Sequence, residues 1–229
     1  MTDATTEPQT DPTPPGQRAR KRPPRGGPGR TPHPLLDRLA ELHPALFGPR
    51  PRPLKLGTYE DLLARHPGLF DAAELKAALG QHARSSRYLE CLSRGEPRHD
   101  LDGQCAGPLS LEHQHHAVVE LFRRRQHRSA VDLQPALRAR VRDLFIASGL
   151  DRDGYASAAR IRRDTLDALL DQARQDQAGD IARCEALLRA FEASGLDEAA
   201  FAERYGLAPQ ATAAQLARAR DERRIQAAG

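Results

Sequence analysis

The chain has 229 residues, which suits one or two domains. Hydrophobic residues make up 39%, aromatic residues only 4%, and Trp is absent, so the core must be mostly Leu and Ala, which favours packed helices over a β-sandwich. The net charge is +4, but residues from Leu150 onward carry −2 and the first 149 carry +6, so the front half is suited to a polyanion, of which nucleic acid is the commonest.

Residues 1–30 are Pro, Gly, Thr and charge, with almost nothing to bury, and are expected to be disordered. Arg18, Arg20, Lys21, Arg22, Arg25 and Arg30 form a basic arm within them, readable as an RNA tether or as a solubilising tail. Pro34–Phe47 reads as one helix with Leu35, Leu39, Leu42 and Leu46 on a stripe. Pro49, Pro51 and Pro53 impose an extended passage that projects Arg50 and Arg52, with Lys55 close behind. Thr58 is expected to cap the next helix, with Asp61 three residues on. Asp71 to Ala83 is a third helix with Leu75, Ala78 and Leu79 inward and Lys76 toward solvent.

Arg84, Ser85 and Ser86 link to a short helix carrying Arg87, Tyr88, Leu89 and Leu92, stopped by Gly95. A helix start offers free backbone N–H groups and a positive dipole end, and the two Ser hydroxyls add donors. Tyr88 among Arg87, Arg94 and Arg98 reads as an exposed-type aromatic, a ring on which a base could rest, or alternatively as a core tyrosine of a small helix. Arg98 to Leu101 alternates, Asp102-Gly103 signals a β-hairpin, Gly107-Pro108 breaks the return strand, and Ser110 caps a helix running to about His127. That helix ends in Arg123, Arg124, Arg125 and Arg128, either phosphate contacts or a solvated helix end. The last hundred residues are helical by pattern. Phe145 to Asp151 recurs as Phe191 to Asp197 at an offset of 46, which predicts two helical hairpins.

Catalysis and metal binding find no support. Asp100 and Asp102 sit beside the turn, where Asp bonds backbone N–H groups. His113, His115 and His116, with His99 and His127 nearby, lack the spacing and Cys partners of a zinc site. Cys91, Cys105 and Cys184 are scattered and fit a reducing compartment. No apolar run nears the roughly 18 residues of a membrane span, and the N-terminus has no apolar signal core. The residues therefore predict a cytoplasmic monomer with no membrane partner, no cofactor and no enzymatic activity.

In their order and spacing, Arg52-Pro-Leu-Lys-Leu-Gly57, Arg87-Tyr-Leu89, and Arg98-His-Asp-Leu-Asp-Gly103 with Gly107 resemble the ProQ/FinO domain of bacterial RNA chaperones. The resemblance runs from about Leu35 to Arg125. It implies a mainly α domain over residues 31–128 with one small β-hairpin; the α-helical region over 129–229 lies outside the resemblance and is read from pattern alone. It further implies that Arg52, Lys55, Lys76, Arg87, Tyr88 and Arg98 line an RNA-binding face, joined by Ser85 and Ser86 at the helix start. Gly80 stands where many relatives carry a basic residue and His82 where an aromatic is usual; Arg84 is placed to compensate for the lost charge. The implied function is RNA chaperoning in post-transcriptional regulation. The RNA would be the 3′ terminator hairpin and single-stranded tail of small regulatory RNAs and mRNAs. The rival reading is a DNA-binding or protein-interaction regulator acting through the C-terminal helices.

Overall fold

The computed structural model describes residues 33–228; the basic arm of residues 1–30 lies outside them. Among the described residues there are eleven helices and no strand: α1 (Pro34–Leu42), α2 (Pro44–Phe47), α3 (Thr58–Arg65), α4 (Ala72–Ala83), α5 (Ser86–Ser93), α6 (Leu111–Gln126), α7 (Gln134–Ser148), α8 (Arg152–Ala159), α9 (Arg163–Ser194), α10 (Glu198–Arg204) and α11 (Pro209–Ala227). The mainly α class read from composition holds. No described helix is long and apolar enough to cross a membrane.

Local chemistry corrects three sequence readings. The helix expected over 34–47 breaks at His43, because Pro44 has no N–H to give and its ring blocks continuation; it restarts as N1 of α2. Thr58 does not cap α3. Gly57 takes the N-cap position with φ +86°, and the Thr58 hydroxyl instead donates back to the Lys55 carbonyl at 2.7 Å. The hairpin forms its turn but not a full ladder. Asp100 N–H donates to the Gln104 carbonyl at 3.0 Å, Ala106 N–H to the Arg98 carbonyl at 2.7 Å and Arg98 N–H to the Gly107 carbonyl at 2.8 Å, but these make isolated bridges of His99 with Cys105 and with Leu54, not a strand.

Other readings hold closely. Asp71 accepts from the N–H groups of Ala73 and Glu74, and Ser110 from that of His113. Gly95 follows α5 at φ +77°, a left-handed conformation that favours Gly.

The front core gathers Leu39, Leu46, Phe47, Leu62, Phe70, Leu75 and Leu101 from α1–α4 and the turn. A second cluster joins Tyr88, Leu89 and Leu92 of α5 to Ala117 and Leu121 of α6. One residue further round α6, Val118 packs with Val141, Leu144 and Tyr155 of α7 and α8. Helix α6 is thus buried on two faces, and His115 Nδ1 adds a 3.1 Å hydrogen bond to the Tyr155 hydroxyl.

The 46-residue offset is a structural duplication. In each copy a helix ends in Ser-Gly, with the Gly at φ +64° (Gly149, Gly195), and an Asp caps the next short helix (Asp151 on Gly154 N–H, Asp197 on Ala200 N–H). A buried ring, Tyr155 or Phe201, then packs edge-on to Phe145 or Phe191 at 5.6 and 5.4 Å. The copies are not separate hairpins. The first half of the 32-residue α9 closes copy one and its second half opens copy two.

His82 is the costliest group in the front core. Its ring lies between Phe47 and Tyr88, with centroids at 4.9 and 4.8 Å. Its buried Nε2 has no hydrogen-bond partner among the described residues. Burial, with the Arg87 charge adding to it, holds its pKa down at about 4; burial also lowers His43 and His115. The unfolded chain takes up these protons below pH 6.5 and the fold resists them, so stability is complete above pH 6.5 and falls as pH drops toward about 4. In His82→Phe, urea midpoints measured at about pH 5 and about pH 7.5 should differ less than in the wild type. An undiminished pH dependence in that variant would assign the effect to other groups.

Candidate nucleic-acid interface

Three separated sequence motifs meet on one peptide unit. The proline-rich passage before α3 cannot bond to itself, so its position depends on what holds it. Leu54 N–H donates to the Tyr88 hydroxyl at 3.0 Å, and Arg98 Nη1 donates to the Leu54 carbonyl at 2.8 Å. On either side, Lys55 N–H donates to the His99 carbonyl at 2.8 Å and His99 N–H to the Pro53 carbonyl at 2.7 Å. Arg-Pro-Leu-Lys, Arg-Tyr-Leu and Arg-x-Asp-Leu-Asp-Gly are thus stitched together at Leu54.

This clamp corrects the reading of Tyr88 as an exposed-type aromatic. Tyr88 is 6% exposed, its ring is packed on His82, and its hydroxyl is taken by Leu54; burial pushes its pKa up. Arg98 is 9% exposed, and its second guanidinium nitrogen lies 3.3 Å from His113 Nδ1. Neither offers its side chain at the surface. Both position the segment that carries Arg52 and Lys55.

The remaining predicted residues are accessible. Arg52, Lys76, Arg84 and Arg87 are exposed and form no ion pair among the described residues. Lys76, Gly80 and Arg84 fall at i, i+4 and i+8 on α4 and its cap. The Arg84 guanidinium lies over Gly80, where a Cβ would meet it at 3.2 Å. The small residue therefore leaves room for the Arg84 guanidinium. Lys55 is half-exposed and paired with Asp61 at 2.7 Å, a contact that raises its pKa.

Ser85 caps α5, accepting from Tyr88 N–H at 3.1 Å, and the helix geometry leaves the N–H groups of Ser86 and Arg87 without intrahelical acceptors. The Ser86 hydroxyl accepts from Arg124 Nη1 at 3.1 Å. Arg124 was weighed only as part of an arginine run at a helix end, yet it reaches α5 and also bonds the Arg84 carbonyl at 2.9 Å. The nearest sequence signal is Glu120, three and four residues before Arg123 and Arg124. It pairs with both, and their hydrogen bonds hold its carboxyl down at about 2.

Asp100 Oδ1 accepts from the N–H groups of Asp102 and Gln104, and Asp102 pairs with Arg65, whose hydrogen bond lowers its pKa. These carboxylates order the turn. His115 turns inward to Tyr155 while His113 faces Ser110 and Arg98, and among the described residues no group of side chains could hold a metal ion. What the surface can do is bind anions: accessible cations stand beside a helix start, on a backbone whose polar groups are paired.

Comparison with known proteins gives the following likenesses. Residues 30–134 match the model of the ProQ/FINO family. An RNA chaperone ProQ of Shewanella pealeana is 39% identical over 72 residues, 31% of this chain and 34% of that protein. One of Pseudoalteromonas atlantica is 35% identical over 91 residues, 38% of this chain and 42% of that protein. The chain therefore spans well under half the length of these curated relatives. A crystal structure of a FinO-like RNA chaperone from Neisseria meningitidis is 35% identical, over 36% of this chain and 85% of that one, with a TM-score of 0.34.

Removing the Tyr88 hydroxyl should cost stability. Tyr88→Phe strands a part-buried N–H and should lower the unfolding free energy by about 1 kcal/mol, whereas Arg87→Ala at the exposed neighbour should change it by under about 0.5 kcal/mol. Urea denaturation of the two variants tests this. Equal stability would mean that the clamp contributes nothing.

Proposed function

The chain belongs to the ProQ/FINO family through residues 30–134, and from that premise we propose that it is an RNA-binding chaperone that recognises a 3′ terminator hairpin and its single-stranded tail. One observation carries the reading: Arg52 and Arg87 on the elements that the family motifs join, and Lys76 and Arg84 on α4 and its cap, are exposed and form no ion pair among the described residues. A-form RNA hides its base edges in a deep, narrow major groove, so phosphates, 2′-hydroxyls and unstacked ends are what a protein can reach. Exposed guanidiniums suit phosphates, and the open N–H groups at the start of α5 suit the last nucleotide. Lys55 joins by exchanging Asp61 for a phosphate.

Tyr88 contributes as a positioning residue. Its hydroxyl fixes the Arg52–Lys55 segment against α5, so losing it displaces two cations without removing a stacking surface. The reading needs no chemical step and no cofactor. It places the protein in the cytoplasm as a partner of small regulatory RNAs and mRNAs, acting as a monomer in post-transcriptional regulation.

Fluorescence anisotropy of the whole chain against a labelled hairpin RNA with a uridine tail tests this. The same hairpin with a 3′ phosphate and a duplex DNA of equal length serve as comparisons. The free-ended RNA should bind tightest. Arg52→Ala and Arg87→Ala should each weaken binding by about 1–3 kcal/mol and lower the salt slope by about one phosphate contact. Equal affinity for duplex DNA would overturn RNA recognition; equal affinity for free and blocked ends would remove the 3′ end from it.

A further inference from the structure

Where α5 begins and α6 ends, the surface holds a groove of about 330 Å³ lined by Ser86, Glu90, Arg124, Arg125, Arg128 and Ser129. We propose that this groove is a second phosphate site, separate from the Arg52–Arg87 surface, that takes the RNA backbone just upstream of the 3′ nucleotide. The proposal rests on the RNA-binding reading above and extends it to residues outside the family motifs.

Arg124 is the anchor. A guanidinium has five N–H donors. Three are spoken for: Nε by Glu120 at 2.7 Å and Nη1 by the Arg84 carbonyl at 2.9 Å and the Ser86 hydroxyl at 3.1 Å. The Nη2 pair has no acceptor among the described residues. A planar fork held on three sides with one edge open is ready for a phosphate, because little side-chain entropy remains to be lost. Arg128 uses only Nε, on the Arg124 carbonyl at 3.3 Å. Arg125 meets Glu90 at 3.5 Å, with both side chains half-exposed, a pairing weak enough for a phosphate to displace. Three guanidiniums therefore face one carboxylate.

The end of α6 is the wrong pole of a helix dipole for an anion. Here its carbonyls are covered. His127 and Arg128 N–H groups take those of Arg123 and Arg125, and Arg128 takes that of Arg124. Beneath the rim, Leu121 and Leu133 make an apolar floor on which sugar can rest. Ser86 belongs both to the groove and to the start of α5, so a strand ending at that start passes directly into the groove.

The test uses the whole chain and the labelled uridine-tailed hairpin, with affinity measured across a salt series. Arg128→Ala and Glu90→Gln alter exposed rim side chains, and their folding is checked by thermal melting. Arg128→Ala should weaken binding roughly tenfold and reduce the salt slope by about one. Glu90→Gln should tighten binding by about two- to fivefold, since it removes the one anion at the rim. Wild-type affinity and slope in both variants, beside a weakened Arg52→Ala, would overturn the groove and leave RNA binding intact. A wild type that binds no RNA would overturn both readings.

Discussion

The peptide unit of Leu54 is the constraint on which the candidate interface depends. It lies in a chain segment that three prolines keep from forming helix or strand, so it cannot satisfy its own polar groups. Tyr88 takes the N–H and Arg98 the C=O, from residues 34 and 44 positions away in the chain. Leaving either group buried and unpaired costs about 1–3 kcal/mol. This makes an address out of an otherwise mobile-looking passage. Arg52 and Lys55 flank it, one exposed and one half-exposed, and their positions relative to α5 are set by hydrogen bonds to backbone, not by their own charges. The arginine and the tyrosine of these motifs are the parts that hold the Arg52–Lys55 segment still.

Much of this was legible beforehand. Apolar spacing located α1, α3, α4 and α6, and Asp71 and Ser110 marked helix starts because a short oxygen-bearing side chain is what an orphan N–H needs. The motif order was also readable. What escaped was burial. Tyr88 stands among arginines along the chain, and that looks like surface; it is interior because Leu54 and His82 come to it from elsewhere. Arg98 was misjudged for the same reason. Local errors had local causes: Pro44 outweighed a good leucine stripe, and Gly57 at φ +86° took the cap from Thr58. The exposed cations were the easier part, since nothing apolar beside them asked for burial.

Helix α6 ties the family-matched residues to the helices behind them. Ala117 and Leu121 belong to the α5 cluster and Val118 to that of α7 and α8, so adjacent residues serve two cores. The same helix sends Arg124 back to the start of α5. A change in how α7 and α8 pack would move α6, and with it the arginines at its end. The helical half of the chain thus has a physical route to the interface without contributing a side chain to it.

The duplication shows why the two copies are not interchangeable. Copy one meets α6 through Tyr155, whose hydroxyl bonds His115, and through Ala159, which is small and buried in the cluster containing Val118. Copy two has Phe201 in place of Tyr155, with no hydroxyl to satisfy, and Tyr205 in place of Ala159. Tyr205 lies over Phe201 with ring centroids 4.7 Å apart and is itself 55% exposed, while Phe201 stays at 1%. A bulky amphipathic ring at that position lies against the buried one and keeps its polar edge in water. The differences between the copies follow from their neighbours: copy one packs on α6 through Tyr155 and Ala159, whereas copy two turns Tyr205 to water.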